Sequence, residues 1–208
     1  MLRENQGRYY WHHIRRTWMN RPVVIILILF FSIIPFSARA TSLSDVQARY
    51  SGLADFSVNF AQLSYYRLLD KEVRFTGKLY YKRPDYVRMD VYKPERQIIV
   101  MKGTKAMIYL PGEKKMIVQD VPKGIATQNI LAFFSGLGSI EDAYIVDEKG
   151  PRIYLSPKNG RGSIEVLVNG DLVKEIDVID AMGNHTHIVL SGYRFNLGLK
   201  EDLFNIGH

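Results

Sequence analysis

No cysteine occurs in the 208 residues. That absence excludes disulfide staples, thiol nucleophiles and cysteine-held metals, and it removes the acyl-accepting cysteine of a lipid-anchored amino terminus. Tryptophan is scarce, and both copies, Trp11 and Trp18, fall near the start. No apolar run reaches the roughly 18 residues that a membrane-spanning helix needs. The longest, Val23 to Phe36, falls short of it. A Gly-x-Ser-x-Gly nucleophile turn is missing, and Gly160 and Gly162 read as hairpin punctuation rather than a phosphate cradle. Low-complexity linkers and a second-domain boundary are also lacking.

The first forty residues read as an address rather than as part of the fold. Arg15, Arg16 and Arg21 precede the apolar run, and Ala38-Arg39-Ala40 supplies a small-x-small cleavage site. The pattern predicts a cleaved signal peptide over residues 1–40, with Met19 as an alternative start. Six of the 28 basic residues and one of the 21 acidic residues belong to that leader, so 22 and 20 remain, net +2. The basic character of the whole chain is thus a property of the leader, and nucleic-acid binding loses its electrostatic basis. Residues 41–208 are enough for a single domain with a true core. The expectation is a soluble, monomeric periplasmic protein.

The remaining residues are dominated by strand signals. Val73, Phe75, Gly77, Leu79 and Tyr81 point one way, while Arg74, Thr76, Lys78, Tyr80 and Lys82 point the other. Turn chemistry at Arg83-Pro84-Asp85, Lys93-Pro94-Glu95 and Lys102-Gly103 folds the next strands into an antiparallel meander. Strands are expected over 56–65, 72–82, 86–92, 97–101, 106–110, 115–120, 144–147, 152–156, 162–168, 172–180 and 185–193, with a hairpin turn at Asn169-Gly170-Asp171. Two segments have helical spacing. Leu43, Val46, Tyr50 and Leu53 form one stripe over 42–54, with Ser44 and Gln47 as a capping box. Ile130, Phe133 and Phe134 lie in a second segment, 127–137, capped by Thr127 and stopped by Gly136 and Gly138.

A sheet of that many antiparallel strands curls as its twist accumulates. The fold class is therefore mainly β: a curved antiparallel sheet forming an incomplete barrel. The two short helices are the elements available to cover its concave face. Either they roof an apolar cavity or they fill it, and pattern alone leaves both open.

Certain residues, taken in order, resemble a known family. They are Phe60-Ala61-Gln62, the run Gly77 to Pro84, Arg88, Pro94 with Gln97 to Val100, Gly103, Tyr109, Pro111, Asp180, Gly183-Asn184, Thr186 and Ile188. Together they are similar to the LolA-type periplasmic carriers of outer-membrane lipoproteins, across residues 41–208. The resemblance implies a half-barrel with a helical lid over a hydrophobic cavity that shields acyl chains, with no chemistry and no cofactor. The implied partners are acylated lipoprotein or lipid cargo, an inner-membrane ABC-type release complex and an outer-membrane acceptor. The resemblance also makes Arg83 a latch that holds the lid shut in the empty form; without it, Arg83 reads as a solvated turn residue. The chain departs from the family where Met107 replaces a frequent Trp, where Lys102 replaces an acid, and in its last segment.

Residues expected to line the cavity or lid are Leu43, Val46, Tyr50, Leu53, Phe60, Phe75, Leu79, Tyr81, Met89, Met101, Met107, Tyr109, Ile130, Phe133 and Phe134. Met116 joins Met89, Met101 and Met107 on successive strands, as adaptable lining or as core filler. His185 and His187 share a strand face, but a third metal ligand is not evident, so no metal site is expected. Asp177, Asp180, Glu141 and Asp142 read as solvated ends of elements rather than an acid and base, which argues against an enzyme. Lys71, Arg74, Lys78, Lys82, Arg83 and Arg88, diluted by Asp70, Glu72 and Asp85, are read as a solvated face, with a docking surface for an acidic partner or lipid headgroups as the alternative. A lipid or lipoprotein sensor built on the same half-barrel is the alternative reading.

Overall fold

The alternation through residues 71–82 is realised as strand β2 (Lys71–Lys82), the partner of an equally long β1 (Asp55–Tyr66). The computed structural model describes residues 42–120 and 140–206. The expected leader and the expected second helix, with Ile130, Phe133 and Phe134, lie outside the described residues.

From β2 the chain meanders outward through β3 (Tyr86–Lys93), β4 (Gln97–Lys102), β5 (Lys105–Leu110) and β6 (Lys115–Asp120). After a short helix α2 (Ile140–Ala143) it returns through β7 (Tyr144–Lys149), β8 (Arg152–Pro157), β9 (Ser163–Asn169), β10 (Leu172–Ile179) and β11 (His185–Phe195). The order across the sheet is β6-β5-β4-β3-β2-β1-β11-β10-β9-β8-β7, with every neighbouring pair antiparallel. The first and last strands meet in the middle and β6 and β7 are the edges, so this is an open, incomplete barrel.

Helix α1 (Leu43–Ser51) is shorter than the periodicity predicts, and its cap is Ser42 rather than Ser44. The Ser42 side chain accepts the Asp45 backbone N–H at 3.2 Å, and the Asp45 carboxylate accepts the Ser42 N–H at 3.0 Å. Ser42 wins over Ser44 because an acid three residues on completes the reciprocal box. Gly52 ends the helix.

Leu43, Val46, Tyr50 and Leu53 pack into one cluster with Phe56, Val58, Phe60, Leu79 and Tyr81, which defines the inner face of the sheet. The helix lies at one end of that face. Its first N–H donates to Glu148 Oε1 at 2.8 Å near the end of β7, and Tyr50 Oη accepts the Val173 N–H at 3.2 Å near the start of β10. Rings crowd beneath it, with Phe56 at 5.6 Å from Tyr50 and 5.3 Å from Tyr81. Burial raises the Tyr50 hydroxyl above the usual tyrosine value and pushes that of Tyr193 well above it, so both stay protonated; Tyr193 Oη donates to the Val173 carbonyl at 2.8 Å.

The outer face at this end is covered by the chain after β11. Asp55, a buried carboxylate, accepts the N–H groups of Leu197 and Leu199, and the segment then crosses β2, β3 and β4. Lys82 and Arg88 donate to the carbonyls of Leu199 and Leu203, at 2.6 and 2.8 Å, and Lys102 donates to Asn205 Oδ1 at 2.8 Å. Phe204, in the 3-10 turn Glu201–Phe204, is fully buried against Tyr86 with ring centroids 5.6 Å apart.

Candidate functional site

Strand registers arrange the inner face in rows across the sheet. Nearest α1, Phe195, Phe56, Tyr81, Val87, Met101 and Ala106 are successive partners. The next row is Val58, Leu79, Met89, Ile99, Ile108 and Ile117. Beyond it come Leu190, Phe60, Gly77 and Val91, and then Ile176, Ile188, Gln62 and Phe75. Gly77 is required here, because a Cβ would lie 2.7 Å from the Phe60 ring and closer still to the Asp90 carbonyl.

Burial is uneven across these rows. Phe56, Tyr81, Val87, Met101 and Ala106 are buried, and Phe60, Leu190, Val91 and Ile176 are buried as well, whereas Met89, Ile99, Ile108, Ile117, Phe75 and Ile188 keep part of their surface. The polar groups on the face are few and satisfy one another. Gln62 donates to Ser64 Oγ at 2.9 Å, and Ser64 meets Thr186 Oγ1 at 3.1 Å. Among the described residues no base stands beside this hydroxyl pair, and the contact that the face offers is mainly apolar.

Of the expected lining residues, Leu43, Val46, Tyr50, Leu53, Phe60, Leu79, Tyr81 and Met101 are buried on the inner side, and Phe75 and Met89 are half-buried there. Met107 and Tyr109 are corrections. Met101 pairs with Ala106 and Ile99 with Ile108, so the odd-numbered residues of β5 face outward. Met116, paired with Tyr109, goes with them. Arg83 stands exposed in the β2–β3 turn, its backbone N–H donating to the Ala54 carbonyl at 3.0 Å. No described residue accepts from its guanidinium.

At the far end of the sheet two hairpins are tied together. Asp180 accepts the N–H groups of Met182 and Asn184 and the Asn184 amide, and Asn184 Oδ1 accepts the Arg67 N–H at 3.0 Å. Partial burial acts to raise the Asp180 carboxyl, but these hydrogen bonds outweigh it and hold the group below the usual range. Neither this cage nor the buried Asp55 is visible in spacing alone.

On the outer face two carboxylates that spacing does not reveal stand beside the histidines. Asp177 Oδ1 lies 3.1 Å from His185 Nε2 and 2.9 Å from His187 Nδ1, and Glu175, Asp177 and His187 bring ligand atoms within 4.8 Å of one another. The group could hold a cation, but it lies on the opposite side of the sheet from the apolar face.

A family model described as outer membrane lipoprotein carrier protein LolA matches residues 51–207. The chain belongs to the LolA family. An outer-membrane lipoprotein carrier protein of Chromobacterium violaceum is 26% identical over 175 residues, covering 80% of this chain and 84% of the relative. Another from Bordetella avium is 25% identical over 138 residues, and that match spans 62% of this chain and 66% of the relative. Among solved structures, a LolA superfamily protein from Nitrosomonas europaea aligns with a TM-score of 0.48 and 12% identity, covering 80% of this chain and 98% of that one. Both relatives are outer-membrane lipoprotein carriers by description.

Proposed function

We propose that the protein is a periplasmic carrier that holds the acyl chains of a lipoprotein, or of a related lipid, against the inner face and moves them from the inner to the outer membrane. The observation that carries the reading is the set of incompletely covered apolar side chains on one continuous apolar face. Much of that face is packed like an ordinary core, while Met89, Ile99, Ile108, Phe75 and Ile188 retain exposed apolar surface. Burying an acyl chain contributes about 0.8 kcal/mol per methylene, so a half-covered greasy face competes with a membrane without any covalent step. Family membership supports the same class of cargo.

Release requires that the grip be weakened. Arg83 sits beside the junction of α1 and β1, its guanidinium without an acceptor among the described residues, and we place it as the latch that closes the carrier when empty. A donor complex and an outer-membrane acceptor complete the cycle. Native mass spectrometry of protein purified gently from the periplasm tests the reading: a lipid-mass adduct, exchangeable with added diacylated lipoprotein, is expected. Protein that carries no such mass and takes none up from detergent-solubilised lipoprotein would sink it.

A further inference from the structure

At the end of the sheet opposite α1, the β1–β2 hairpin carries Leu68 and Leu69 at 77% and 71% exposure, on the 3-10 turn Arg67–Leu69. Tyr65 and Tyr66 flank them, and Met182, 57% exposed, projects from the neighbouring β10–β11 turn. Two adjacent leucines left in water are costly, and a loose loop would fold them away. This tip is not loose. Asp70 takes a left-handed conformation that closes the turn, its N–H donates to the Arg67 carbonyl at 3.3 Å, and its carboxylate accepts Tyr65 Oη at 2.9 Å. The Asn184 bond to Arg67 and the Asp180 cage lock the second tip to the first.

We propose that this pair of tips inserts into the interface of a lipid bilayer. The chemistry fits that occupant better than a protein groove. Leucines at the apex reach the acyl region, tyrosines sit at the depth where their amphipathic rings are favoured, and exposed Arg67, Lys71 and Arg74 stand at headgroup level, outnumbering the exposed acids Asp70 and Glu72, of which Asp70 is bound to Tyr65. Phe75 and Ile188, half-buried on the inner face, lie on the strands that carry these tips, so insertion brings that part of the acyl-binding surface toward the membrane. That purpose rests on the carrier reading, whereas the contact itself does not.

The absence of cysteine makes the test site-specific. Leu69→Cys provides the sole thiol of the full chain for an environment-sensitive fluorophore, and Asn169→Cys provides a control at the opposite end. With cargo-free vesicles of phosphatidylethanolamine and phosphatidylglycerol, the label at position 69 shifts to the blue and the label at 169 does not. Leu68→Ser weakens the partition reported by the label at 69 by on the order of ten-fold, as expected for one leucine side chain, with an unchanged melting temperature because the residue is exposed. A label at 69 that stays in water while the protein sediments with vesicles overturns the proposal, as does a response seen only with an added protein acceptor. Because no lipoprotein is present, failure here leaves the cargo test standing, and the reverse also holds.

Discussion

The two ends of the sheet are built from the same strands and differ in how they treat apolar surface. At the α1 end, Tyr50, Phe56, Tyr81 and Val173 are fully enclosed, the outer side is strapped by residues 197–206, and a buried carboxylate fixes the strap. At the hairpin end Phe75 and Ile188 are half-covered and Leu68 and Leu69 project into solvent. Buried core does continue to this end on β8 to β10, through Leu155, Ile164, Ile176 and Val178, so the uncovered apolar surface of the inner face here lies on the side of β1, β2 and β11.

The largest expected effect lies at the enclosed end. Tyr50→Ala removes a ring in contact with Phe56 and orphans the Val173 N–H, and is predicted to lower stability by about 3–5 kcal/mol in urea denaturation. Asp55→Asn comes next. It weakens two hydrogen bonds to a charged acceptor, at about 1.5–3 kcal/mol each at most, and is read out as faster hydrogen exchange at Leu197 and Leu199. At the open end Phe75→Ala is predicted to cost only about 1–2 kcal/mol, because its surface is already partly in water, while cutting uptake of acylated cargo. A loss equal to that of Tyr50→Ala would erase the contrast between the ends.

How much of this is legible in the sequence depends on which interaction decides the outcome. Strands with period-two alternation, such as β2 and β9, follow from side-chain burial alone, and every predicted strand forms to within a few residues of its expected limits. The apolar stripe of α1 reads equally well, although its cap is chosen by the acid at position 45. Grouping four methionines by strand order gives Met107 and Tyr109 the wrong facing. The Lys102↔Lys105 pairing across Gly103 sets β5 so that Ala106 turns inward, and a two-residue hairpin turn at that place carries this information. The strap, the Asp55 anchor and the Asp180 cage join residues distant in sequence or bond through the backbone, which leaves no periodicity to read.

Two smaller effects sharpen the comparison further. Asp180 has a folded-state carboxyl held below its ordinary value. Its contribution is therefore present above the usual carboxylate pKa and is lost as pH falls through the depressed one. Amide exchange at Met182 and Asn184 should rise in that acidic window, and Asp180→Asn should flatten the rise; exchange independent of pH after correction for intrinsic rates would show that the cage does not order the tip. Arg83→Leu is predicted to change stability by less than about 0.5 kcal/mol, as an exposed substitution. In a reconstituted handover assay it accepts cargo and releases it abnormally; unchanged transfer removes Arg83 from the mechanism.

Strand β1 is hydrogen-bonded on one side to β2 and on the other to β11, near the opposite extreme of the chain. A nascent or translocating polypeptide can zip β1 to β6 early, yet that ribbon lacks the partner for its central strand until the final one arrives, and closing so long a loop is slow. The midline of the sheet is consequently its last seam to be sewn. A molecule truncated before β11 would display an unpaired β1 flank, open to strand addition by another copy.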